Sequence, residues 1–165
     1  MKPEAERARA KRDDPELQLQ GFIEKFDAKN QGVIRAVRKA LRKRLPRANE
    51  LVYDNYNFFV IGYSPTERPS DSIVSLAAGA NGVGLSFPYC GTRLPDPHRL
   101  LRGSGTKNRF IRLESAAVLA RAEVDGLIAA AVRLSKPLPA SGKGKLIIRS
   151  VSTKQRPRRK TKAPL

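Results

Sequence analysis

The sequence predicts an α+β fold: an antiparallel sheet of four to five strands with N- and C-terminal helices packed on one face. Three observations carry this. Residues 28–45 repeat Val33, Ile34, Val37, Leu41 and Leu45 at helical spacing, one apolar stripe on a cationic surface. Residues 50–113 hold several runs rich in β-branched and aromatic residues, punctuated by turn residues. Residues 118–133 return to helical spacing through Val118, Leu119, Val124, Leu127, Ile128 and Val132. A chain of 165 residues can bury the core of one domain. The expected division is a disordered segment over 1–14, a single domain over 15–152 and a disordered basic tail over 153–165.

Taken in order, residues 1–13 are charged and Ala-rich with no apolar pattern. Asp14-Pro15-Glu16 supplies an N-cap and a first-turn proline for a helix over about 15–26, expected to bury Leu17, Leu19, Phe22, Ile23 and Phe26. Asp27 caps the next helix, and Pro46 ends it. The aromatic stretch 50–63 is expected as one long strand. Ser64 to Ser70, with two prolines, reads as a loop. Ser72–Ala78 and Val83–Phe87 are strands joined at Asn81-Gly82, a strong hairpin signal. Asp96 to Arg102 is expected as a helical turn closed by Gly103. Asn108–Leu113 alternates, which puts Phe110 on one face and Ile111 and Leu113 on the other. Pro137 and Pro139 stop the last helix, and Lys145–Val151 is a short edge strand.

The formal net charge is +18, and it is unevenly placed. Residues 28–50 carry 8 basic and 1 acidic side chains, and residues 141–165 carry 9 and none. Sixteen of the surplus charges therefore sit in one helix and one tail. A field this concentrated attracts polyanions and weakens with salt. The single cysteine, Cys90, excludes an intrachain disulfide and fits a reducing compartment. No apolar run approaches the ~20 residues of a membrane span, and the first residues lack the apolar core of a secretory signal. The expected location is cytoplasmic.

Two clusters are candidates for a ligand pocket. Asp54, Tyr56 and Asn57 are polar residues inside an aromatic stretch. They form either a pocket wall or a bulge or strand end, with Asp54 paired to Arg109 or Arg112. Ser104 and Lys107, in the GSGTK loop ahead of Arg109 and Arg112, could gather backbone N–H groups around an anion. They lack the spacing of a P-loop. The candidate anion-binding surface is Arg35, Arg38, Lys39, Arg42 and Lys43 on the helix with Lys154, Arg156, Arg158, Arg159 and Lys160 on the tail. His98 has no nucleophile motif to serve, and Cys90 beside Tyr89 reads as a packing residue. No catalytic residue, metal ligand or cofactor motif is identified.

Three stretches carry a family resemblance: LVYDNYNFFVIGYSPTERPSDSIVSL, GVGLSFPYCGTRLPDPHRLLRGSGTKNRFIRLES and KLIIRSVSTKQRPRR. Over residues 20–157 the chain resembles the YdhG-like family, a domain of unknown function. That family is placed beside bacterial frataxin-like iron chaperones. The resemblance implies a compact α/β sandwich and, more weakly, an iron role. It brings no catalytic residues. The chain departs from a frataxin-type acidic ridge, since residues 28–49 hold eight cations and no carboxylate. Asp54 and Glu50 alone are a poor iron ligand set. The predicted function is a non-enzymatic binding domain whose basic helix and tail contact an anionic partner such as nucleic acid. The alternatives are an intracellular iron chaperone, or a small-molecule or enzymatic cleft between the Tyr56 strand and the Gly103–Gly105 loop.

Overall fold

The structure, a computed structural model, describes residues 3–160. Its α+β class agrees with the sequence reading, and its sheet differs from it. Among the described residues, four α-helices run over Glu4–Asp13 (α1), Pro15–Ile23 (α2), Ala28–Arg44 (α3) and Ala122–Leu134 (α4). Six strands run over Asn49–Asp54 (β1), Phe59–Ser64 (β2), Val74–Gly79 (β3), Gly82–Phe87 (β4), Arg109–Leu113 (β5) and Leu146–Val151 (β6). They form one sheet in the order β5-β4-β3-β2-β1-β6. Among the described residues, no helix is long and apolar enough to cross a membrane.

Two corrections follow for the sheet. The expected long strand is a hairpin. Asn55 to Phe58 turn the chain, and the Asn55 N–H donates to the Phe58 carbonyl at 3.1 Å. Asn55 and Asn57 are there as turn formers, which is why poor strand formers stand in this aromatic stretch. The sheet is mixed rather than antiparallel because β6 pairs in parallel with β1. The chain leaves β5 at one edge, crosses the sheet through α4 and returns at the other edge in the direction of β1. The remaining pairings are antiparallel.

Asp14 and Asp27 cap α2 and α3 as expected, their side chains accepting from the N–H groups of Glu16 and Asn30. Leu19, Ile23 and Phe26 reach the core, while Leu17 is exposed. The α3 stripe, with Ile34, Val37 and Leu41, packs on the same sheet face as Leu76 and Leu85. That face also carries Phe59, Ile61, Phe87, Ile111 and Leu113, so the period-2 alternation buries one side of the sheet under the helices.

Three further expectations change. Residues 4–13 form α1 instead of a disordered segment. Ala, Glu, Arg and Lys favour helix without any apolar stripe, and Glu4 and Glu6 lie in its first turn. Residues 96–102 form no helix: the Asp96 carboxylate accepts from Leu100 and Leu101 N–H, and Arg99 has φ 53°. Residues 153–160 are docked on the fold, as described below; residues 161–165 of the expected tail lie outside the described residues.

One polar network crosses the core face. Glu50, directly opposite Tyr63 in the β1–β2 ladder, is buried. It accepts from Arg38 Nε at 2.9 Å, from Arg38 Nη2 at 3.0 Å and from Tyr63 Oη at 3.0 Å. Arg38 also binds Glu16 on α2 at 2.7 and 2.9 Å. One guanidinium thus ties α2, α3 and β1 together. Burial, with Glu50 beside it, pushes the Tyr63 hydroxyl well above its usual range, so it remains a donor. The Arg38 guanidinium holds the Glu16 carboxyl below the usual carboxylate range. Glu16 therefore contributes stability that is present above its unfolded pKa of about 4.3 and is lost as pH falls through its depressed folded value. Glu50→Gln should lower the unfolding free energy by about 3 kcal/mol, since a buried cation loses a charged partner, and Tyr63→Phe by about 1 kcal/mol. Urea unfolding measures both; wild-type stability in Glu50→Gln would refute this account of the network.

Candidate binding trough on the open sheet face

Over β3 and β4 the sheet face opposite the helices is built from small residues. Ser75, Ala77 and Gly79 of β3 lie beside Ser86, Gly84 and Gly82 of β4, and neither strand is at an edge of the sheet. Among the described residues, no side chain larger than Ser rises from these positions; Val60, Phe58 and Arg112 border them. The result is an open trough of about 1160 Å³. Phe58, from the β1–β2 turn, and Phe110, from β5, stand at its sides and are 55% and 39% exposed.

Each ring rests on a glycine. A Cβ on Gly79 would meet the Phe58 ring at 3.4 Å, and a Cβ on Gly103 would meet the Phe110 ring at 3.4 Å. Gly103 has φ 118°, which L side chains rarely adopt, and its neighbour Arg102 exchanges two 2.9 Å backbone hydrogen bonds with Phe110. Gly103 of the GSG loop thus serves to seat an aromatic ring. Five cations line the trough: Arg102 and Arg112 on the β5 side, and Arg156, Arg159 and Lys160 from the C-terminal arm. Among the described residues, no carboxylate lines it. None of the five is in an ion pair among the described residues.

The arm is a wall because Asp54 holds it. Asp54 ends β1 on the core face and has 0% exposure. Its carboxylate binds Lys25 Nζ at 2.7 Å and Arg158 Nη2 at 2.9 Å. Arg158 is itself 4% exposed and also donates to the Asn55 carbonyl. Among the described residues, its Nε and Nη1 find no partner. Backbone bonds extend the anchorage: Ser152 N–H donates to Asp54 O and Arg156 N–H to Tyr56 O, both at 2.9 Å. Arg159 donates to the Lys25 carbonyl, and the Arg156 guanidinium lies 5.7 Å from the Tyr56 ring centroid.

The residues expected to form a pocket are therefore divided. Asn57 and Arg112 line the trough. Asp54 faces the helices, with Lys25 and Arg158 as partners in place of Arg109 or Arg112. Tyr56 is exposed at the turn under Arg156. Ser104 and Lys107 are exposed on the loop, outside the trough lining. Arg109 is turned away from it, donating to the carbonyls of Gly105 and Asn108.

The anion-binding candidates also fall into two groups. Arg35, Lys39, Arg42 and Lys43 line a separate cleft of about 490 Å³ in the helical layer, with Lys143 beside them. Arg38 and Arg158 are buried in ion pairs. Lys154 is exposed outside the trough lining, and Arg156, Arg159 and Lys160 line the trough. Helix and arm thus present cations on different sides of the sheet. Cys90 is buried in the core, and burial pushes its thiol up; His98 is exposed. No group of three or more His, Cys, Asp or Glu is placed to hold a metal ion among the described residues. Glu50 and Asp54, the carboxylates an iron reading would use, are each bound to cations. No protein-family model, curated protein or solved structure matches the chain.

Alternation in NRFIRL announces Phe110 from sequence, but Phe58 and the small-residue floor were missed. Their signal was the run of small residues at every second position of both strands: Ser75, Ala77, Gly79 and then Gly82, Gly84, Ser86. Arg158→Ala should release the arm while leaving the sheet in place. Tryptic cleavage after Lys154 is then expected to quicken by about tenfold, since cleavage tracks the population of the open form. An unchanged digestion rate would show that Asp54 does not hold the arm.

Proposed function

We propose that this chain is a non-enzymatic binding domain for nucleic acid, gripped through the trough and its cationic walls. The observation that carries the reading is the convergence of Arg102, Arg112, Arg156, Arg159 and Lys160 on one face that no carboxylate shares. Contacts of this kind go to phosphates, which gives affinity and position with weak sequence preference. The net charge of +18 adds long-range steering toward any polyanion. The helical cations Arg35, Lys39, Arg42 and Lys43 form a second attractive surface that such a ligand meets on another side of the domain. Kinship with the YdhG-like family belongs to the same proposal; it supplies a fold and no ligand.

Fluorescence anisotropy with labelled mixed-sequence oligonucleotides tests this. Binding is expected at low salt, with log K falling linearly in log salt concentration. Arg102→Ala, Arg112→Ala and Lys160→Ala should each flatten that slope by about 0.9 on duplex DNA or about 0.7 on a single strand. The absence of saturable binding at low salt would end the proposal.

A further inference from the structure

We infer that the trough takes unpaired nucleobases, so that its ligand is single-stranded rather than duplex nucleic acid. This rests on the proposed function and narrows it. Phosphate attraction explains the cations but gives no role to Phe58, Phe110 or the floor between them. Exposed aromatic rings beside cations are what base stacking uses, and every base offers a π-face. A duplex keeps its base faces inside the stack and presents phosphates and groove edges. It would leave both rings without a partner.

The geometry suits more than one base. Phe58 precedes β2 and stands near the Gly79–Gly82 end of the β3–β4 hairpin, whereas Phe110 pairs with Ser86 on β4, across from Ser75. From strand spacing and rise, the two positions lie about 14 Å apart across the strands and about 13 Å apart along them. The rings stand at diagonal corners of a floor whose β3 and β4 positions carry nothing larger than Ser, with Val60 of β2 and Arg112 of β5 on the other two sides. Flat bases can lie against such a floor. Each ring is held against a glycine, so stacking costs little additional ordering of the side chain. Arg102 and Arg112 on one wall and Arg156 and Lys160 on the other are placed for the phosphates of a strand running between them, while the Arg159 guanidinium donates to the Glu24 and Lys25 carbonyls.

The test compares a labelled single strand with a duplex of the same sequence, at matched salt, using the full chain. Phe58→Ala and Phe110→Ala each remove a stacking platform. Gly84→Leu fills the trough without changing a charge; a Cβ there meets nothing closer than the Ile111 carbonyl at 3.4 Å, and circular dichroism checks that each variant is folded. The single strand is expected to bind tighter than the duplex. Each Phe→Ala change should weaken single-strand binding by about tenfold, Gly84→Leu by at least as much, and all three should leave duplex binding unchanged. Duplex binding as tight as single-strand binding, or single-strand binding indifferent to Phe110→Ala and Gly84→Leu, overturns the inference and leaves simple phosphate attraction standing. Failure of both nucleic acids to bind at low salt overturns the proposed function with it.

Discussion

The buried Asp54 carboxylate is the constraint on which the shape of the open face depends. It sits at the end of β1 with no exposure to water. A carboxylate in that position requires cations, because an unpaired buried charge costs several kcal/mol. Lys25 comes from the residues after α2, and Arg158 comes from beyond β6. Meeting the demand of one side chain therefore fixes two distant pieces of chain against the β1–β2 turn. The consequence for the opposite face is indirect but definite. With Arg158 drawn in, its neighbours Arg156, Arg159 and Lys160 are laid along the trough. The same carboxylate removes one cation from the surface and positions three others.

Charge sorting across the sheet follows a similar logic. Most carboxylates that make ion pairs do so on the helical side or at the rim: Glu16 and Glu50 on Arg38, Asp125 on Arg44, Glu67 on Lys145. None reaches the trough. The open face is therefore cationic partly because its own residues are basic and partly because no acid is available there to neutralise them. At physiological salt, where charges further apart than about 8 Å are screened, such local imbalance matters more than the total of +18.

What could be read from the sequence follows from how local each feature is. The α3 stripe and the caps at Asp14 and Asp27 are set by residues within a few positions of one another, and they were legible. So was the outward position of Phe110, because alternation within NRFIRL decides it. The β1–β2 turn was hidden because Tyr53, Tyr56, Phe58 and Phe59 run through it and make two strands look like one. The parallel pairing of β6 was not legible at all: KLIIRSV specifies a strand but not its neighbour. The arm was the hardest case. Within KQRPRRK nothing distinguishes Arg158 from the other cations; only Asp54, about a hundred residues earlier, gives it a buried place.

The split between helix and arm decides how the two basic regions can act. The formal charge of α3 overstates what it offers, since Arg38 is buried between Glu16 and Glu50, and Arg35 is engaged with Gln31 and Gln20. Lys39, Lys43 and Lys143 make no ion pair among the described residues, and they lie in the helical layer. The trough lies beyond the sheet from them. A stiff polyanion that engages one surface runs away from the other, whereas a flexible one can turn at the domain edge. If both surfaces act on one molecule, that molecule has to bend within the width of a small domain, over which a duplex is effectively rigid and a single strand is not. Charge placement and the two exposed rings thus favour the same kind of ligand for independent physical reasons.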